Sequence, residues 1–495
     1  MDLHRRTLRQ DVRELGALLG DIFEAQTSRS DFETVETLRK AAIAYRKGET
    51  ESREELFDVL EHLSPADLHV VARAFTTYFE LINLAEERER VRTIRDQSHD
   101  GTLDDRLDDA VEELADAPEV AEQVFEDVLI EPTFTAHPTE ARRKTVKAKL
   151  RSIAGDLQEL DERPLTQKEH AQELRDLEAE ITGLWQTPQL RERRPEPEDE
   201  ARNVEWYLSN TLFDVVGEVY DELEDAVEAA DLDLEVPKLF EFRSWAGSDR
   251  DGNPFVTPDV TTRVLERQRE VALERYRTEV DELISVLSQD GDRVTGSTVV
   301  ETGMTGDDAV ERIADTAVDR YRGEPFRQAT SVILERVKRV ESVRPGGYPD
   351  AEAMLKDVQA LRKGLVANDL DSIEAEFVDP LVRQLETFGF HLATLDLRDH
   401  RQSHTTAVSA ALATEDIDYR SMSEAERQAF LTEAIMESGP VVDLGDRDAY
   451  DESVVTVLER FDRLADWHAE FGPEAIDAYC ISMTEEPSHV LEVLF

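Results

Sequence analysis

The sequence predicts a mostly helical chain with an α/β core. That core has four parallel strands, half of what an eight-stranded (β/α)8 barrel requires, set among long helical insertions. Three observations lead there. Apolar residues recur at helical spacing through the first 130 residues. After them, four short β-like runs appear near 132–136, 239–245, 390–397 and 478–483, each ending in a polar cluster. The chemistry-bearing clusters fall at the C-terminal ends of those runs, where a parallel barrel keeps its functional groups.

Residues 1–130 read as an N-terminal helical region. Val12, Leu15, Leu18, Leu19, Ile22 and Phe23 form one stripe. Leu56, Val59, Leu60 and Leu63, then Leu68, Val71 and Phe75, form a second. Asp96 to Asp116 is acid-rich and reads as a solvated connection with a short helix, and no internal repeat is visible. Residues 131–495 read as the first half of the barrel. The first run, Pro132 to Ala136, stops at His137. His137-Pro138-Thr139-Glu140 then opens a helix, with proline at its first position. Val146, Leu150, Ile153, Leu157 and Leu160 mark that helix's buried face. The second run, Leu239 to Trp245, stops at Gly247-Ser248-Asp249-Arg250, and Thr257-Pro258 caps the next helix. The third, Phe390 to Leu397, stops at Arg398, and the fourth, Ala478 to Met483, stops at Thr484. The chain reaches Phe495 close behind its fourth strand.

A 40% hydrophobic share over 495 residues supports a sizeable core and excludes wholesale disorder. Against 112 acidic residues stand 57 basic ones, of which ten are lysine, giving a net charge of −55. That field repels polyanions, so nucleic acid and anionic membrane faces are excluded as general partners. The acids are spread along the chain and do not form a tail, which favours adaptation to concentrated salt over an acidic interaction surface. The one cysteine, Cys480, permits no intrachain disulfide and fits a reducing cytoplasm. Its apolar surroundings, Ala478 to Met483, predict a buried structural thiol. The basic residues His4, Arg5, Arg6 and Arg9 precede no apolar signal core, and no run approaches the roughly 18 apolar residues of a membrane span.

Between Ala141 and Arg151 there are six cations and no acid: Arg142, Arg143, Lys144, Lys147, Lys149 and Arg151. A helix start with local cations suits an anion, and His137 beside it is a candidate acid/base. The plain alternative is a helix salt-bridged to acidic neighbours. Trp245 to Pro254 is turn-rich. Asp249 and Asp251 lack the further ligands of a calcium loop, so the turn is read as one whose carboxylates orient Arg250. Arg398, at a strand end, can grip a carboxylate or phosphate with two prongs, or simply pair with a neighbouring acid. His400 and His404 have the spacing of zinc ligands, but no glutamate lies between them, and zinc is not assigned. The basic stretch Trp185 to Pro197 reads as a rigid charged loop, with a second anion contact as the alternative.

Together these residues meet a known family. Phe134-Thr135-Ala136-His137-Pro138-Thr139-Glu140 closely resembles the first signature of phosphoenolpyruvate carboxylase. Ser244 through Pro254 resembles its second characteristic loop, Leu395-Asp396-Leu397-Arg398 a third, and Tyr479 to Leu491 the strand and turn that follow. Leu184-Trp185 through Arg194-Pro195 is similar too. The resemblance implies a helix-rich TIM-type barrel that joins phosphoenolpyruvate and bicarbonate into oxaloacetate and phosphate with Mg²⁺ or Mn²⁺. It implies His137 as the base that deprotonates carboxyphosphate. On the substrate side it implies Arg398, Trp245 and Arg250, the last as a support, with Trp245 walling a CO2 pocket. It also implies a homo-oligomer, commonly a tetramer.

Three departures accompany the resemblance. Gly247-Ser248 stands where two glycines are usual, and Asp399-His400-Arg401 where Gln-Glu-Ser is usual. The chain is also about half the family's usual length. The resemblance implies that the metal carboxylates, a catalytic lysine, a mobile glycine-rich loop and further substrate arginines lie in the half without a counterpart here, so no metal ligand is assigned in this chain. The expectation is an incomplete enzyme, inactive alone. The rival is a non-catalytic fragment or regulatory subunit that keeps the fold.

Overall fold

Among the described residues of the computed structural model, four short strands line up as one parallel sheet in the order β1-β2-β3-β4. They are β1 (Thr133–Phe134), β2 (Arg243–Ser244), β3 (Thr394–His400) and β4 (Ala478–Ser482). The structure describes residues 3–48, 54–103, 106–135, 143–189, 196–294, 308–436, 442, 444–445 and 447–495. Phe134 pairs with Ser244, Ser244 with Leu395, and Arg398 with Cys480. Helices dominate the remainder, so the chain is a helix-rich α/β protein with a small parallel sheet.

Every predicted run contains a strand, but the bounds move. The third run was expected to extend from Phe390, yet β3 begins only at Thr394. The reason is a tight turn: Leu392 sits at φ +58°, and the Ala393 N–H bonds back to the His391 carbonyl at 2.6 Å. A bulky residue in the left-handed region cannot belong to a strand. β3 then continues past Arg398 to His400, so Arg398 lies within the strand.

Contacts divide the chain into two compact units, one of residues 1–106 with 139–194, the other of 107–138 with 195–495. In the first, Leu15, Leu19, Leu81, Val146, Ile153, Leu157, Leu177 and Ile181 share one buried cluster. The stripe expected on 146–160 is therefore real, although its helix, Lys144–Glu162, starts only after an extended Arg143. The expected opening at Pro138 lies outside the described residues. Lys149 of this helix pairs with Glu180 at 3.3 Å.

An ionic network unmarked in the sequence reading also lies in this unit. Fully buried Asp161 accepts the N–H groups of Arg5 and Arg6 at 2.8 Å and Arg92 Nε at 2.9 Å. Arg92 and Arg6 in turn each reach Asp11 at 2.6 Å. Burial opposes the charge of Asp161, but these donors outweigh it and hold its pKa below the ordinary carboxylate value.

Asp156 shows the opposite balance. Burial, with Glu173, Asp176 and Glu180 nearby, pushes its carboxyl up to about 6. The folded form thus holds this proton more tightly than the unfolded one. Stability is fully present below the unfolded pKa and is lost as pH rises through the folded pKa, about 6. Asp156→Asn is expected to raise stability at pH 7 by about 1 kcal/mol, a figure discounted for partial solvent exposure. Thermal unfolding at pH 7 and pH 4 should show the gain at pH 7 alone.

The second unit is built on an aromatic column. Phe242 stacks between Phe240, 6.0 Å away, and Phe388, 5.3 Å away, and Phe388 stacks on Phe213 at 5.1 Å. A smaller cluster, with Ala246, Val264, Leu395, Leu397 and Trp467, underlies the strand ends. Cys480 was expected to be buried, and it is exposed. Its strand is the last of the described sheet, with a neighbour on one side only, so an apolar run does not suffice to bury it. No helix among the described residues is long and apolar enough to cross a membrane.

Candidate functional site

The loop after β2 is shaped by its backbone needs. The Trp245 N–H extends the ladder by one bond, to the Phe134 carbonyl at 2.9 Å. The Ser248 and Asp249 N–H groups then fold back onto the Trp245 carbonyl at 3.1 and 3.0 Å. Gly247 adopts φ +86°, and a Cβ there would stand 2.5 Å from Val264, so only glycine fits. Ser248, by contrast, is not among the positive-φ residues, which explains why a serine is tolerated beside it. The Thr261 hydroxyl pins the Gly247 carbonyl at 2.8 Å. Thr257 caps the following helix, with Pro258 at its first position, as its sequence predicts.

This loop is stitched to β3. The Arg398 N–H donates to the Ser248 carbonyl at 3.3 Å, and the Arg250 N–H donates to the Arg398 carbonyl at 3.0 Å. Trp245, Asp249, Arg250 and Arg398 are thereby brought together at the C-terminal ends of β2 and β3.

The guanidinium carbon of Arg398 lies 3.6 Å from the centre of the Trp245 ring. The indole N–H of Trp245 donates to Asp396 Oδ2 at 3.0 Å, and Asp396 Oδ1 accepts Arg243 Nε at 3.0 Å. Asp396 therefore fixes the ring plane on which Arg398 rests. Arg398 Nε stands 3.4 Å from Asp249 Oδ1 without hydrogen-bond geometry. Its two terminal nitrogens make no hydrogen bond to any described residue. Arg250 is half-buried, and its Nη1 is buried without a hydrogen-bond partner.

Asp249 was expected to orient Arg250. Its carboxylate instead accepts the Asp251 N–H at 3.1 Å and faces Arg398. The backbone bridge Asp249–Arg398 decides this, by placing the carboxylate beside the strand-borne arginine. Burial raises the Asp249 pKa, against the pull of the Asp251 N–H and Arg398. Arg243 behaves differently. Burial opposes its charge, but Asp477 and Asp396 outweigh it, so its guanidinium is fully engaged in structure.

The residues after Arg398 each find a partner. His400 Nδ1 accepts the Gln402 N–H at 3.1 Å and caps the helix Arg401–Ala413. Arg401 meets His489 at 3.0 Å and Glu485 at 2.8 Å. Buried His404 meets the Tyr479 hydroxyl at 3.2 Å. Burial lowers the His404 pKa to about 4; Asp399 opposes the shift, while Arg460 and Arg250 add to it. The two histidines thus serve different partners. Among the described residues no group of three or more His, Cys, Asp or Glu side chains is arranged to hold a metal ion.

His137 lies outside the described residues, as do Arg191, Arg193 and Arg194 of the basic stretch. The sequence reading missed Asp396 and Arg460. Asp396 stood inside a quoted motif, but nothing there pointed to two partners more than a hundred residues away.

Residues 8–495 match the phosphoenolpyruvate carboxylase family. The phosphoenolpyruvate carboxylase of Roseiflexus castenholzii is 32% identical over 511 residues, covering 98% of this chain and 54% of that protein. That of Burkholderia vietnamiensis is 33% identical over 519 residues, covering 98% and 50%. That of Rhodothermus marinus is 32% identical over 508 residues, covering 98% and 54%. The chain spans about half the length of the curated relatives it matches.

Proposed function

The chain belongs to the phosphoenolpyruvate carboxylase family, and from that premise we propose that it supplies the anion-binding half of an enzyme carboxylating phosphoenolpyruvate with bicarbonate. One observation carries this reading. Arg398 lies on an indole with no hydrogen bond from its guanidinium to any described residue, and Arg250, half-buried, donates its N–H to the Arg398 carbonyl. In a chain of net charge −55, such an arrangement needs a reason, and a small polyanion provides one.

A bicarbonate oxygen attacks phosphorus, and the bond from phosphorus to the enol oxygen breaks, giving carboxyphosphate and the enolate. His137 takes the carboxyl proton of carboxyphosphate. Its C–O bond then breaks, leaving CO2 and phosphate, and the enolate carbon attacks CO2 to form oxaloacetate. Arg398 holds the phosphoryl or carboxylate oxygens through its fork. Arg250 supplies positive field where charge develops. Trp245 sets the plane of Arg398 and keeps that side of the pocket apolar, which protects the enolate from water.

The described residues do not fit the divalent cation that the resemblance implies. They form no metal cluster, and Asp249 already faces Arg398. The cation's ligands would come from the part of the relatives' length that this chain does not span. The same reading includes closure of the four-stranded sheet into a full barrel, a homo-oligomer, and work in a salt-rich cytoplasm.

The test separates the two products. In the complete enzyme, His137→Asn is expected to suppress oxaloacetate by at least about a hundredfold, as for loss of a general base, and phosphate release by much less. Both products are assayed from one reaction. Equal loss of the two would remove His137 from proton transfer. Absence of both products in the unsubstituted enzyme would overturn the function itself.

A further inference from the structure

Arg460 is 1% exposed, a fully buried cation on the helix Glu452–Phe471. Its Nη1 stands 3.2 Å from the Arg398 carbonyl oxygen and 3.3 Å from Asp399 Oδ2. The Arg398 carbonyl therefore receives two donors, the Arg250 N–H from the loop and Arg460 from the helix, which accounts for both of its lone pairs. Asp399 is 3% exposed and also accepts the His400 N–H at 2.8 Å and the Ser403 hydroxyl at 3.0 Å. Side chains alternate along a strand, so Asp399 and Arg460 grip β3 from the face opposite Arg398.

We propose that Arg460 is a positioning residue: by bridging the Arg398 carbonyl and the Asp399 carboxylate, it fixes the strand end from which Arg398 lays its guanidinium on Trp245. The proposal rests on the reading that Arg398 takes the substrate anion. A buried ion pair gives little net stability compared with well-packed apolar residues. What it supplies here is direction, because a charged hydrogen bond holds an angle that an apolar contact does not. The backbone of Arg398 is also held by Ser248, Arg250 and its pairing with Cys480, but its side chain has few restraints of its own. Its ion pair to Asp249 lacks hydrogen-bond geometry, and the indole constrains its plane but not its sliding.

The experiment uses the full chain with 5-fluorotryptophan at its four tryptophans. The Trp245 resonance is assigned by its loss in Trp245→Phe. Arg460→Met is expected to move the Trp245 ¹⁹F resonance in the same direction as Arg398→Met, with Trp185 and Trp206 unmoved. The double variant should move it no further. In the complete enzyme, Arg460→Met should lower kcat/KM for phosphoenolpyruvate by about tenfold to a hundredfold, the scale of a small misplacement. In the Arg398→Met background the same change should cost less than about twofold, since two residues acting through one group are not additive.

An unmoved Trp245 resonance in folded Arg460→Met, or an equal loss in both backgrounds, would overturn the proposal. If Arg460→Met does not fold, Arg460→Met with Asp399→Asn leaves no unpaired buried charge and carries the same readouts. A moved resonance with unchanged kinetics in both Arg398→Met and Arg460→Met would uphold the positioning and overturn the substrate reading.

Discussion

Arg398→Lys is expected to lower kcat/KM for phosphoenolpyruvate by about tenfold to a hundredfold while leaving the melting temperature within about 3 °C. The two halves of this result have separate causes. Lysine keeps the charge but has no planar fork, so at least one charged hydrogen bond to the substrate is lost, worth roughly 1.5–3 kcal/mol. The protein itself loses little. Arg398 contributes an ion pair to Asp249 without hydrogen-bond geometry and a stacking on Trp245 with its own side chain 24% exposed. Stacking of that kind is worth about 0.5–2 kcal/mol. Arg243 is the contrasting case, since it bonds Asp396, Glu241 and Glu131 at 3.0 to 3.2 Å and also Asp477. Its replacement should lower stability first and activity only in consequence. Michaelis kinetics and thermal melts on the same preparations distinguish the two. Normal parameters for phosphoenolpyruvate in Arg398→Lys would make Arg398 structural.

The second large effect concerns salt. At a net charge of −55, the chain should gain about 10 °C or more in melting temperature between millimolar and molar KCl. The Debye length is about 30 Å at 0.01 M, long enough for carboxylates across a whole unit to repel one another, and about 3 Å at 1 M. The buried network of Asp161, Asp11, Arg6 and Arg92 is shielded from solvent and should respond least. Circular dichroism across a salt series measures this, and a flat melting temperature would contradict salt adaptation.

Much of this architecture was legible in the residues. Period-3.6 stripes such as Val146, Ile153, Leu157 and Leu160 are local, and each one is buried. The four β-like runs each contain a strand because an apolar run followed by turn chemistry is a short-range signal. What stayed hidden was non-local. No spacing rule connects Arg460 to Asp399 across 61 residues, or Trp245 to Asp396 across 151. Asp249 was assigned to its neighbour Arg250 because sequence favours adjacent partners, whereas the parallel bridge presents it to Arg398. The exposure of Cys480 depends on how many strands flank β4, which the run Ala478 to Met483 does not encode.

The division of the chain has a consequence for its biosynthesis. The first unit is made of two stretches, 1–106 and 139–194, separated by chain that belongs elsewhere. On the ribosome, Leu15, Leu19 and Leu81 emerge long before Ile153, Leu157, Leu177 and Ile181, the residues that complete their cluster. Nascent N-terminal helices must therefore wait, with an apolar face uncovered, until roughly the length of a small domain has been translated. No single cut separates the two units: a cut after residue 194 releases this unit with 107–138 still attached and leaves the other unit without that stretch. A module free of 107–138 would require joining the two stretches by a designed linker.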